Sequence, residues 1–151
     1  MNMLKVPTKS WVVVCDGAKA QILQNIGDTE TVRLRVEENL TQPDEPNRDL
    51  GADRPGRVQQ SVGSQRSSME ETDWHEAAEA KFLRDVVDRI EALVAVQGAS
   101  HIILVAPPKA LGYMRPLLSP AAQAAIKNEV GKDVAKLTPY EIEKHLLAWV
   151  T

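Results

Sequence analysis

Apolar residues in this chain fall into short solid runs and one long helical stripe, separated by polar stretches. Trp11-Val12-Val13-Val14-Cys15 is continuous and β-branched in its middle, the pattern of a strand covered on both faces. Asp16-Gly17 follows at once, and Ala20 to Asn25 (AQILQN) returns to an apolar run. Asp-Gly between two such runs predicts a hairpin, because both residues tolerate the positive φ of a primed turn. Gly27-Asp28 marks a second turn. Thr31 to Leu40 then alternates, with Val32, Leu34 and Val36 on one face and Arg33, Arg35 and Glu37 on the other. That alternation predicts a third, half-exposed antiparallel strand.

From Thr41 to Thr72 the apolar pattern stops, and this stretch reads as one long polar loop. Asp73 then offers a helix cap, with Glu76 three residues on as a capping-box partner. Leu83, Val86, Val87, Ile90, Leu93 and Val94 recur at helical spacing, which predicts a helix to about Gln97 that Gly98 ends. His101-Ile102-Ile103-Leu104-Val105 is a second buried strand, stopped by Pro107-Pro108. Ser119-Pro120 and Thr138-Pro139 each set a cap residue before a proline at the first helical position, and Glu141 completes a capping box with Thr138. Gly131 is read as closing the first of these helices, and Val134 to Leu137 as a short last strand.

The order β-β-β-loop-α-β-α-β-α predicts an α/β fold. It would be a single domain with a mixed sheet: an N-terminal antiparallel meander followed by βαβ crossovers, with helices on the sheet faces. Residues 1–10 read as an N-terminal tail and 11–151 as the domain.

Composition narrows the class. The chain has 151 residues, 43% hydrophobic and 26% charged, ordinary for one soluble globular domain. A net charge of −3 argues against general coating of nucleic acid, though a local basic patch fits it. One cysteine, Cys15, leaves no intramolecular disulfide and no thiolate cluster. MNMLKVPTKSWVVVC lacks the apolar core of a secretory signal, and no stretch approaches the ~20 apolar residues of a membrane span. A cytoplasmic location is the expectation.

Candidate chemistry is sparse. In ribonuclease-H-like folds an acid at the position of Asp16 helps to hold a divalent metal, and two-metal chemistry needs a second carboxylate at the end of the next central strand. That position reads Val105-Ala106-Pro107-Pro108-Lys109, without an acid, so Asp16 and Gly17 are read as turn residues. His75, His101 and His145 lack metal-ligand spacing, Cys15 reads as an inert core thiol, and the loop serines lack a nucleophile-elbow context. No metal, cofactor or catalytic residue is expected. Lys109 and Arg115 in PPKALGYMRPLLS form either an anion site beyond a parallel strand or a proline-stiffened connection with solvated charges. The loop carries the stronger signal. Arg54-Pro55-Gly56-Arg57 sets two guanidinium groups around a stiff turn, suited to phosphate or carboxylate, Arg66 adds a third, and Gln59, Gln60 and Gln65 supply amides.

Taken in order, WVVVCDGAKAQIL, DRPGR, TDWHEAAEAKFLRDV, LVAPPKALGYMR, LSP and LTPYEIEKHL resemble the bacterial host attachment family, described as required for attachment to host cells. The resemblance implies a part in attachment. Without an export signal, an indirect part is the easier physical reading. The predicted topology is also similar to the middle domain of archaeal and eukaryotic peptide-chain release factors. There the loop between the third strand and the first helix carries a Gly-Gly-Gln motif. This chain offers Gly56-Arg57-Val58-Gln59-Gln60-Ser61 and Gly63-Ser64-Gln65-Arg66 instead. Two readings follow. One is a non-enzymatic binding protein that meets a protein partner, the ribosome or tRNA through Arg54, Arg57, Gln59, Gln65, Arg66, Lys109 and Arg115. The other is a ribosome-associated hydrolase in which Gln65 or Gln60 positions a water.

Overall fold

A computed structural model describes residues 5–42 and 60–149, and the side chains of 60–75 lie outside that description. Five strands form one sheet in the order β3-β2-β1-β4-β5: β1 (Trp11–Cys15), β2 (Lys19–Asn25), β3 (Leu34–Thr41), β4 (Ile102–Ala106) and β5 (Ile126–Gly131). β1, β2 and β3 run as an antiparallel meander, whereas β4 lies parallel to both β1 and β5. The sheet is mixed and the class is α/β, as the alternation of elements predicts.

Helices cover both faces. On one side lie α1 (Gln60–Ala95), α2 (Pro108–Met114), a 3-10 turn (Arg115–Leu117) and α3 (Pro120–Ala125), packed on Val13, Cys15, Ile22, Ile102 and Leu104. On the other, α4 (Pro139–Leu146) sets Ile142 and Leu146 against Val12, Val14, Leu23, Ile103 and Val105. β1 and β4 are buried along their whole length because successive side chains feed opposite cores. The expected tail belongs partly to the domain. Val6 is fully buried in the second core, and Asn25 Nδ2 donates to the Val6 carbonyl at 2.9 Å.

Several expectations are corrected. The long helix begins at Gln60, so Asp73 lies inside it and not at its N-terminus, and the predicted loop loses 60–72. Gln, Arg, Met and Glu in that stretch are good helix formers, and a polar run without apolar spacing hides them. At its other end the helix stops at Ala95. Gly98 at φ +69° then lets Ala99 N reach back to the Leu93 carbonyl at 3.0 Å and close the helix end.

α3 ends at Ala125, and Ile126–Gly131 is a strand, while 134–137 is a turn. IKNEVG buries only Val130 completely, so this edge strand lacks an apolar pattern. α2 itself carries no periodic signal strong enough to separate it from the proline-stiffened connection expected there.

The β1–β2 hairpin is present, but its mechanism differs from the expected primed turn. Among the described residues only Lys9 and Gly98 have positive φ. Asp16 Oδ1 instead accepts from Ala18 N and Lys19 N, each at 2.8 Å, and closes the turn through its side chain.

Val32, Leu34 and Val36 share one face as expected, and the third strand changes face beyond them. A register shift opposite Ile22/Leu23 leaves Glu37 as the extra residue, with Leu23 paired to Val36 and Ile22 to Glu38. Leu34 and Val36 therefore face the α4 core, while Leu40 reaches the α1 core. Arg89 of α1 pairs with Glu38 through two hydrogen bonds (Nε to Oε1 3.1 Å), and Glu143 of α4 accepts from Leu34 N at 2.7 Å. One strand is thus tied to a helix on each side of the sheet.

Candidate functional site

The carboxyl ends of β1 and β4 open onto a cleft of about 590 Å³. Its walls come from the β1–β2 turn, α1, the start of α2 and the chain after β5. Open sheets bind ligands at this edge. Ala80, Leu83, Pro107, Ala110 and Tyr113 supply apolar surface, and among the described residues Asp16, Glu76, Glu79 and Asp133 bring four carboxylates against the ammonium of Lys109. Tyr113 is oriented by Arg84, whose Nη1 donates to the phenol oxygen at 3.0 Å.

The Asp16 carboxylate is already committed to its own turn. Gly17 leaves room for a neighbour: a Cβ there would stand 2.9 Å from Cγ and Cδ of Glu79. Among the described residues, no three His, Cys, Asp or Glu side chains are grouped so as to hold a metal ion.

The other expected site residues separate. Lys109 lines the cleft. Arg115 does not: it lies beyond the end of α2, where its guanidinium pairs with Glu129, with Nε 2.8 Å from Oε1. The two do not form a joint anion site at a helix start, because the seven residues of α2 turn them onto different surfaces. Arg54, Arg57 and Gln59 lie outside the described residues. Gln60, Gln65 and Arg66 fall within α1, with side chains outside the description. The water-positioning reading expected Gln60 or Gln65 on a loop, and both sit on helical backbone instead.

Asp133, Glu79 and Tyr113 were not singled out from the sequence. Asp133 follows β5 as Asp16 follows β1, so an acid stands at the carboxyl edge, one strand beyond β4. With the last strand placed at 134–137 that equivalence is hidden.

Cys15, beneath the cleft, is buried, with its thiol 4.0 Å from Met114 Sδ. Burial, helped by the neighbouring Asp16 charge, pushes its pKa up to about 12. At neutral pH it is a core thiol and no nucleophile.

Fold and site define an α/β domain with an open, acid-rimmed cleft at the carboxyl edge of its parallel strands. No helix among the described residues is long and apolar enough to cross a membrane. The family model described as "Protein required for attachment to host cells" matches residues 11–146, and the chain belongs to that family. No curated protein matches it. Among solved structures, an archaeal translation termination factor is similar at 11% identity with a TM-score of 0.42. That match covers 89% of this chain and 36% of the other, so this chain spans little more than a third of that structure's length.

Proposed function

We propose that this chain is a non-enzymatic binding protein that works in the cytoplasm and influences host attachment indirectly. Its contact surface would be the Arg-rich segment with Arg54, Arg57 and Arg66 for anionic groups, Gln59 and Gln65 for polar edges, and Lys109 beside them. One observation carries the reading: the root of that segment is pinned at the cleft rim. Gln42 is almost fully buried, its N donates to the Ala18 carbonyl at 2.8 Å, and its Nε2 donates to the Gly17 carbonyl at 3.0 Å. Gln42, the last described residue before the arginine-bearing stretch, is therefore fixed beside Gly17, which lines the same cleft as Lys109. Arg115 is left out of the surface because Glu129 already occupies it. Guanidinium groups in an otherwise acidic chain suit a local, paired contact better than broad coating of an anionic polymer.

The test is complementation. Cells lacking the protein would receive either the wild type or the Arg54→Ala/Arg57→Ala double variant, with protein level and circular dichroism checked for both. The expected result is loss of attachment with the folded, normally abundant double variant. Full attachment by that variant would sink the contact surface. If the purified protein added outside the cells blocked attachment by competition, the indirect reading would fail instead.

A further inference from the structure

The cleft at the carboxyl edge of the sheet carries a charge that its own residues leave unmatched. Elsewhere in the domain, Glu37, Glu38, Asp85 and Glu129 each meet a lysine or arginine, and Glu91, Glu141 and Glu143 accept from backbone N–H groups. Among the described residues, the acids with neither a hydrogen-bond nor an ion-pair partner are Glu30, Glu76, Glu79, Asp88 and Asp133. Glu76, Glu79 and Asp133 all line this cleft. Against them, among the described residues, the lining sets the ammonium of Lys109, so an excess of negative charge remains even with Asp16 set aside.

That charge is spread along the rim. Glu76 and Glu79 stand three residues apart on α1, close enough to repel each other. The Glu79 stem lies against the β1–β2 turn, where a Cβ on Gly17 would be 2.9 Å from its Cγ and Cδ. Asp133 belongs to a separate wall, the chain after β5. Among the described residues, no three acids, histidines or cysteines are grouped so as to hold a metal ion. A rim of this kind suits several separate ammonium or guanidinium groups, each relieving the repulsion between its neighbours, better than one multivalent ion.

Between the acids the floor is apolar. Leu83 and Ala110 are buried beneath it, while Ala80, Pro107 and Tyr113 are half-buried at its surface. Arg84 holds the Tyr113 phenol oxygen at 3.0 Å and fixes the ring there. A small hydrated polycation leaves such a floor bare. A peptide covers it with an apolar side chain while flanking basic residues, with their own apolar stems, reach the rim. We propose that this cleft docks a short segment of a protein partner in which arginines or lysines flank apolar side chains. Its charge is opposite to that of the anionic groups assigned to Arg54, Arg57 and Arg66, so the two contacts are independent.

The experiment is fluorescence anisotropy of the full chain with a fluorescein-labelled peptide, Gly-Arg-Leu-Arg-Leu-Arg-Gly, at low and moderate salt. The expected result is saturable binding that weakens as salt rises. The Glu79→Gln/Asp133→Asn double variant, with its fold checked by circular dichroism, should bind at least about tenfold more weakly. The Glu30→Gln/Asp88→Asn double variant, which removes unpartnered acids away from the cleft, should bind as the wild type does. The peptide Gly-Arg-Ser-Arg-Ser-Arg-Gly should bind at least about tenfold more weakly, because it leaves the floor uncovered. Absence of saturable binding, equal losses in the two double variants, or equal binding of the serine peptide would each overturn the proposal. So would displacement of the peptide by an equal concentration of spermine, which marks a trap for any polycation. Tighter binding by the Arg54→Ala/Arg57→Ala double variant than by the wild type would show the chain's own arginines competing for the cleft, and would also overturn it.

Discussion

Glu91 holds Ser119 from two sides. Its Oε2 accepts from Ser119 N and its Oε1 from Ser119 Oγ, each at 2.7 Å, while the same Oγ accepts from Ala122 N at 3.1 Å. The cap of α3 is therefore also the tie between α3 and α1. Charge-assisted bonds to a half-buried carboxylate exceed an ordinary cap in value, so Glu91→Ala should cost about 2 kcal/mol. Ser119→Ala should cost a similar amount. Because both remove the bond between Ser119 Oγ and Glu91 Oε1, the double variant should lose less than the sum in a denaturant titration. Additive losses would mean that the two residues act separately.

Two glycines make close approaches and should respond differently to one methyl group. A Cβ on Gly27 would stand 2.1 Å from the Thr31 carbonyl oxygen, which is backbone fixed by the turn. A Cβ on Gly17 meets only the Glu79 side chain, which can swing away. Gly27→Ala should therefore cost about 2–3 kcal/mol and Gly17→Ala less than about 1 kcal/mol. Thermal melts of the two variants rank them directly. Equal losses would mean that the 26–31 turn rearranges freely.

The elements readable in the sequence are those whose pattern answers a single demand. β1 and β4 are buried on both faces and read as solid apolar runs. The Thr138 capping box with Glu141 appears as written, with Thr138 N 2.9 Å from Glu141 Oε1 and Glu141 N 3.2 Å from Thr138 Oγ1. β5 was hidden because an edge strand with one fully buried side chain carries no period. The bulge at Glu37 has no local signature, since it is imposed by two cores on opposite faces. The cleft was the hardest to foresee. Asp16, Glu79, Lys109 and Asp133 come from four separate segments, and only the sheet order brings them to one edge.

The Cys15 thiol gives a pH dependence with a definite sign. Its pKa rises from an ordinary 9.0 to about 12 in the fold. The folded state therefore retains a proton that the unfolded chain loses from about pH 9 upward. The stability tied to this group is fully present below pH 9 and is lost as pH rises toward 12. Cys15→Ala should flatten the alkaline fall in denaturant midpoint, at the cost of some packing. In native wild type, a thiol reagent at pH 8 should label the residue only at the rate of unfolding. Fast labelling of the folded protein would contradict the burial.

Deleting Glu37 tests the face switch in β3. Removing the bulged residue restores a regular ladder, and period-2 alternation then forces a choice. Either Leu34 and Val36 keep the α4 core while Leu40 turns away from α1, or Leu40 stays and the other two leave. The Glu38–Arg89 and Leu34–Glu143 ties cannot both survive. The deletion should cost on the order of 3–4 kcal/mol, the scale of large apolar side chains taken from a core, whereas Glu37→Ala should stay within about 0.5 kcal/mol of wild type. Chemical denaturation of both variants separates the residue's chemistry from its count. A deletion as stable as the substitution would show that the strand does not need its extra residue to serve both faces.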